Sequence, residues 1–486
     1  MRRLPCVRST FLLVAVALAA GACRSAGPVS PATPTTPAGL PKGQPNVILL
    51  LTDDLDLAGI EHMPALKSLF TQQGTTFTNA FVTTSVCCPS RATFLTGQYV
   101  HNHGVLDNRY PLGGFRKFLE SGKEQSTIAT WMQSAGYRTG LIGKYMNQYP
   151  QKVKNPTHVP PGWNEWQGVF FPENYYEYQV NENGKVVYYG AEEADYLTDV
   201  LRQKTATFVG QKASDPRPFF LYLAPFSPHA PARPAPRHDE ELPGVRAPRP
   251  PSFNEEDVTD KPAWVKNLPP MTDDKIAETD NWYRKRVQNM LAVDEMLADI
   301  VARLKAAGEL DNTYIVFTSD NGFQLGAHRM DHGKGDAYDE SIRVPLLVRG
   351  PGVPAGAKVD SMVLNIDVAP TIADLAGARA ADFVDGRSFV PFLRGTRPKA
   401  WRKDFLVEHW VDETDDGIGI PGYVALRTAD HLYVEYPTSN ERELYDLKKD
   451  PYELQSLHQS APASLQKKLA ARLAALKDCR AASCRE

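Results

Sequence analysis

The sequence predicts an α/β protein: a large, mostly parallel sheet sandwiched by helices, with a small C-terminal antiparallel-sheet subdomain. Two long apolar runs end in acids, "NVILLLTDDLD" (residues 46–56) and "TYIVFTSDNG" (residues 313–322), and read as strands buried on both faces. Helical patterns alternate with such strands as far as about residue 375, which favours parallel pairing. Beyond that point the pattern changes to short strands and turns, which favours antiparallel pairing.

The elements follow in order. After the first strand, "MPALKSLFTQQG" reads as a helix ending at Gly74, and "TTFTNAFV" as a short strand. "SRATFLTG" reads as a helix closed by Gly97, and "STIATWMQSAGYRTGLIGKY" as helix, turn and strand, with Lys144 at the strand's end. "PRPFFLYLAPFSPHAP" is a strand running into a Pro-rich loop that carries His229. Residues 230–270 are Pro-rich and predict an irregular surface excursion. "NWYRKRVQNMLAVDEMLADIVARLKAAGEL" has the period of a long amphipathic helix. "VPLLVRGPGV" is a further strand. "WRKDFLVEHW", "GYVALRTADHLYVEY" and "ERELYDLKKDPYELQSL" supply the short C-terminal strands and turns, before a last helix from Ala463 to Lys477.

The first residues predict export. A basic head (Arg2, Arg3, Arg8) precedes an apolar run from Phe11 to Ala20 and small residues ending at Cys23. The run is shorter than the roughly 20 residues that span a bilayer. "AAGAC" is similar to a bacterial lipobox, so residues 1–23 read as a signal peptide with a lipobox-like end, and Cys23 is either a lipid anchor or, in ordinary secretion, a loose thiol. Residues 24–43 then form a Pro-rich tether, residues 44–375 the catalytic α/β domain and residues 376–486 the C-terminal subdomain. The 54 Lys+Arg balance 57 Asp+Glu to a net charge of −3, which leaves no footprint for nucleic acid. Membrane contact is expected only through the N-terminal anchor.

Export makes the six cysteines informative. Cys479 and Cys484 are close enough in sequence for a small disulfide loop in an oxidising compartment. Cys87 and Cys88 adjoin, and neighbours sit only about 3.8 Å apart at Cα, too close for ordinary disulfide geometry. No second Cys or His pair lies near them at zinc-ligand spacing.

Ligands bind beyond the carboxyl ends of strands in open α/β sheets. Asp53, Asp54, Asp320 and Asn321 fall there, a hard-oxygen set suited to Ca2+ or Mg2+. In "TTSVCCPSRATFLTG", Pro89 suits the first turn of a helix, and Arg91 follows Cys87 by one turn on the same face. A helix N-terminus binds anions, and a guanidinium meets an oxyanion well. The pattern is a nucleophile in an anion cradle beside a divalent cation.

"CCPSRATFLTG" resembles the sulfatase signature C-x-P-S-R followed by x-x-x-L-T-G. The resemblance continues through "TDD", "GKY", "SPHAP", "TSDNG", "GKGDAYDESIRVPLLVRGPG" and "ELYDLKKDPYE", from Asn46 to the end of the chain. It implies an alkaline-phosphatase-like fold. It also implies that Cys87 is converted to Cα-formylglycine (3-oxoalanine) by a formylglycine-generating enzyme. It further implies one Ca2+ held by Asp53, Asp54, Asp320 and Asn321, with the modified Cys87 completing the shell. Arg91 would stabilise the formylglycine hydrate and the sulfate, Lys144 and Lys334 would bind sulfate oxygens, and His229 would bind sulfate or protonate the leaving oxygen. The double cysteine, "GQYVHNHGV" and "GKYMNQY" are most similar to the members that act on N-acetylglucosamine 6-sulfate units, so the implied substrate is a sulfated saccharide.

One departure stands out. Many members of the family carry a histidine two residues after the lysine of "GK", and Met146 occupies that position here. His101 and His103, just beyond the Cys87 helix, are then candidates for its base role or for substrate binding. Two other functions suit the same motifs: a phosphonate or phosphodiester hydrolase, and an exported lipoprotein that binds sulfated glycans without turnover.

Overall fold

In the computed structural model, which describes residues 43–410 and 419–486, a ten-stranded sheet forms the core. The signal segment, Cys23 and all of the tether but its last residue lie outside the described residues. No helix among the described residues is long and apolar enough to cross a membrane.

The centre of the sheet is five parallel strands in the order Thr313–Ser319, Asn46–Thr52, Phe219–Ala224, Arg138–Gly143 and Glu165–Val169. Their apolar runs are buried on both faces. Val47, Leu49 and Leu51 face one helical layer, while Ile48 and Leu50 face the other. The flanks depart from the parallel expectation. Leu346–Arg349 pairs antiparallel with both Thr313–Ser319 and Thr75–Phe77. On the other side Tyr178–Glu182 and Lys185–Tyr189 form an antiparallel hairpin that joins the sheet beside Glu165–Val169. The hairpin turns at Asn183 and Gly184, with φ of 52° and 93°, the signature of a type I′ turn.

The long helix runs Asp273–Ala306 and begins earlier than its apolar period suggests. Thr272 caps it by accepting from the Lys275 amide, and Asp273 and Asp274 favour its positive end. The second sheet holds four antiparallel strands, Asp404–His409, Tyr423–Thr428, His431–Tyr436 and Glu441–Asp446, covered by the helix Ala463–Lys477. A disulfide joins Cys479 to Cys484 just beyond that helix.

Candidate active site

The site lies at the carboxyl ends of the central strands. Asp53 and Asp54 follow Asn46–Thr52 directly. Successive residues of a strand face opposite sides, which would separate the two carboxylates. Asp54 instead takes φ of 69°, a left-handed conformation that Asp tolerates, and both acids reach the same site. Asp320 and Asn321 follow Thr313–Ser319, held alongside by the Asp320 amide donating to the Thr52 carbonyl at 3.1 Å.

The helix Cys87–Thr96 points its N-terminus into this cluster and closes on Gly97 at φ of 68°. All ten of its residues are buried. The Cys88 amide is not free for an anion, because it donates to Asn108 Oδ1 at 2.8 Å. Cys87 Sγ lies 3.4 Å from Asp53 Oδ1 and 2.9 Å from Lys334 Nζ. Burial pushes this thiol well above its usual pKa. Arg91 Nε donates to Asp320 Oδ2 at 2.8 Å, and its Nη1 donates to the Lys144 carbonyl at 3.0 Å.

Lys144 Nζ reaches Asp53 Oδ2 at 2.5 Å, and Lys334 Nζ donates to Asp54 Oδ1. His229 Nε2 stands 3.7 Å from Asp54 Oδ2, its ring stacked on Phe226 and partly exposed. Asp53, Asp54, Cys87 and His229 each offer a ligand atom within 4.8 Å of the others. Every residue proposed for the site except His101 and His103 is therefore in this one constellation.

Burial raises a carboxyl's pKa, but at Asp53 the charges of Lys144, His229 and Arg91 outweigh it and hold the group below the usual range. Asp320 is pushed the other way, up to about 7, by burial and then by Asp53. Acids this close ionise together only when positive charge compensates them. Asn321 Oδ1 is buried there with no hydrogen-bond partner. Crowded carboxylates and an orphaned amide oxygen fit a hard divalent cation, which Asp53, Asp54, Asp320 and Asn321 would hold.

Gly143 places Lys144. It ends its strand at φ of 117°, and a Cβ there would stand 2.0 Å from the Ala224 carbonyl oxygen. The next amide, Lys144 N–H, donates to that same oxygen at 2.8 Å. Gly143→Ala must push the strand end away. The expected result is a loss of about 2–3 kcal/mol in unfolding free energy and about 100-fold in turnover, since displacements near 1 Å carry that penalty. Denaturant unfolding and steady-state kinetics on the variant check both figures.

His101 and His103 do not join the site. His101 Nδ1 meets Glu408 Oε1 at 2.9 Å and its Nε2 meets the Cys479 carbonyl at 2.9 Å, so it ties the Val100–His103 turn to the C-terminal disulfide loop. His103 is buried, with Nε2 on Thr93 Oγ1 at 3.1 Å and Nδ1 accepting from the Val105 amide. Neither ring has a nitrogen left for a base role. Met146 is core as well, its Sδ 3.9 Å from Cys88 Sγ. Burial, then Lys123 and His101, pushes His103 down to about 3. The unfolded chain then binds a proton that the native one refuses between roughly pH 6.5 and 3, so stability falls as pH falls through that window. Going from pH 7.5 to 5 should cost about 2 kcal/mol through this residue. Denaturant melts should show that loss shrink in His103→Gln; an unchanged pH slope would refute it.

Two residues near the acids escape the sequence reading. Arg286, buried on the inner face of the long helix with Tyr283, Val287 and Met290, donates to the Asp54 carbonyl and lies 3.3 Å from Asp56 Oδ2. A charge at an apolar helical position was the available signal. Glu173 has a buried Oε1 without a partner, and burial raises its carboxyl against the pull of Lys144. Its loop carries no local signal.

A cysteine at a helix mouth, set among acids that suit a cation and amines that suit an oxyanion, fits a hydrolase of anionic esters. Comparison with known proteins narrows the class. Residues 45–378 match the Sulfatase family model, and residues 326–479 match "N-sulphoglucosamine sulphohydrolase, C-terminal". The chain belongs to the sulfatase family, hydrolases of sulfuric esters that generally use formylglycine and a divalent metal. It is 36% identical to the N-acetylglucosamine-6-sulfatase of Capra hircus, over 92% of this chain and 86% of that protein. Among solved structures, it is similar to a protein held with its substrate D-glucosamine-2-N,6-O-disulfate, with a TM-score of 0.74, 26% identity and coverage of 89% and 97% of the two chains. The phosphonate monoester hydrolase of Agrobacterium radiobacter shares the fold, with a TM-score of 0.70, 24% identity and coverage of 89% and 95%.

Proposed function

We propose that this sulfatase is exported and removes the 6-sulfate from N-acetylglucosamine-type sugars, using formylglycine at position 87 and one Ca2+. The observation that carries the reading is Cys87 at the mouth of its helix, within reach of Asp53 and Lys334 at once. The sugar assignment is supported by the names of the relatives at 36% identity, which include N-acetylglucosamine-6-sulfatases of Capra hircus and Homo sapiens.

Formylglycine at position 87 would supply a hydrated carbonyl as the nucleophile toward sulfur, and a divalent cation beside it would favour the deprotonated hydroxyl. Asp53, Asp54, Asp320 and Asn321 would hold that cation. Arg91 buttresses both ends of the site, through Asp320 on one side and the Lys144 carbonyl on the other. Lys144 and Lys334 bind the sulfate oxygens and stabilise charge that grows in the transition state. His229 donates a proton to the departing sugar oxygen; its Nδ1 meets the Ala230 carbonyl at 2.9 Å, which leaves Nε2 facing the site. Maturation requires a formylglycine-generating enzyme, and the N-terminal segment directs export, with Cys23 as a lipid anchor.

Released sulfate should be measured from N-acetylglucosamine 6-sulfate, from its positional isomers and from an aryl phosphodiester, together with the mass of the peptide that holds residue 87. Selective 6-sulfate release with that peptide about 18 Da light is expected from the aldehyde chemistry. Preference for the phosphodiester, or glycan binding without turnover, would overturn the proposal.

A further inference from the structure

A second set of ligand-type side chains lies away from the Cys87 site, and we propose that His328, Glu340 and Glu453 form a separate binding site for a divalent transition ion of the zinc class. The three residues come from different segments. His328 lies in the loop between Asn321 and Lys334, Glu340 in the short helix Asp339–Ile342, and Glu453 in the turn beyond the strand Glu441–Asp446. One ligand atom of each lies within 4.8 Å of the others.

The histidine is prepared as a ligand. Its Nδ1–H donates to Glu255 Oε2 at 2.7 Å, and its ring stacks on Tyr338 at 4.1 Å. That hydrogen bond directs the lone pair to Nε2, and a carboxylate behind the imidazole is the usual support of a metal-bound histidine. Nε2 is buried without a partner, in a residue with no exposed surface. Glu453 Oε1 is likewise buried without a partner, in a residue 1% exposed. His328 and Glu453 hold φ of 51° and 57°, a left-handed backbone uncommon outside glycine. An unsupported orphan pair of this kind is costly in a folded interior.

Charge points the same way. Among the neighbouring acids, Glu255 is paired with Lys261 at 3.1 Å and Asp339 with Arg427 at 3.1 Å. Glu340 and Glu453 have no ion-pair partner among the described residues, so the site holds two carboxyl groups beside the His328 ring. A divalent ion balances two such groups in their carboxylate form. One nitrogen and two carboxylate oxygens suit zinc, whereas calcium takes oxygen alone. A surface cavity lined by Ala327, Glu340, Pro451 and Tyr452 opens beside the cluster, with Glu340 in its wall. Bound there, the ion would tie the loop that carries Lys334 to the C-terminal sheet.

The test uses the full chain, saturated with Ca2+, dialysed against ZnCl2 and then against metal-free buffer. Elemental analysis should find a zinc equivalent that His328→Gln and Glu340→Gln lose while calcium is retained. Glu255→Gln should weaken zinc binding by about 10–100-fold, the usual effect of removing a histidine's supporting carboxylate. Crystals of the wild-type protein soaked in ZnCl2, which need no variant to fold, should show an anomalous peak between His328 Nε2 and the two glutamates. No peak there, a peak only at Asp53 and Asp54, or equal zinc in His328→Gln would overturn the proposal.

Discussion

Replacing Cys87 with alanine is expected to lower sulfate release by about four orders of magnitude or more, the scale seen when a covalent catalyst's nucleophile is deleted. The fold should survive. Cys87 is the first residue of its helix, and alanine keeps the helical geometry while removing one buried sulfur. The loss of burial is worth about 1 kcal/mol. Cys88 makes the matched control. It is equally buried, but its sulfur packs on Met146 at 3.9 Å and not on the acids. Cys88→Ala should therefore cost about 1 kcal/mol of stability and leave turnover within a few-fold of wild type. Paired assays of kcat and thermal unfolding distinguish the two neighbours. An active Cys87→Ala protein would remove the basis for formylglycine chemistry here.

Stripping divalent cations with a chelator should abolish activity, and adding Ca2+ should restore it. A ligand that binds only the folded state stabilises it by about 2.7 kcal/mol at 100 times its dissociation constant, so Ca2+ should also raise the melting temperature. Asp54→Asn separates that effect from general ionic strength. The variant removes one of three crowded carboxylates, and with it the acid that Lys334 and Asn321 both contact. The metal-free variant should melt below the metal-free wild type, because Lys334 loses its buried carboxylate partner. Its melting temperature should no longer respond to Ca2+, and its activity should fall by about 100–1,000-fold, the scale of a lost electrostatic stabiliser. A variant that still responds to Ca2+ as wild type does would place the ion elsewhere.

Much of the candidate site is legible in the sequence. Asp53, Asp54, Asp320 and Asn321 stand at the ends of two similar apolar runs, and a parallel sheet brings such ends to one edge. Cys87, Pro89 and Arg91 are a local pattern, so their helix could be placed by spacing alone. Lys144 and His229 follow strands that turned out to be neighbours of Asn46–Thr52 or one strand removed. The antiparallel flanks were less legible. The Asn183–Gly184 turn was a readable hairpin signal inside a stretch that otherwise looked like loop. His101 and His103 show the limit of proximity in sequence: they lie close to the Cys87 helix, yet Glu408, 307 residues from His101, takes one ring and Thr93 the other.

The sequence by itself determined the strand ends, the helix mouth and the place of Cys87 at it, because each depends on residues a few positions apart. Tertiary structure alone decided which charges meet. Lys334 reaches Asp54 across 280 residues, Arg286 supports the same acid from the far helix, and Glu173 arrives from a loop with no pattern of its own. Electrostatic energy depends on separation in space and on burial, and neither is written in the order of the residues.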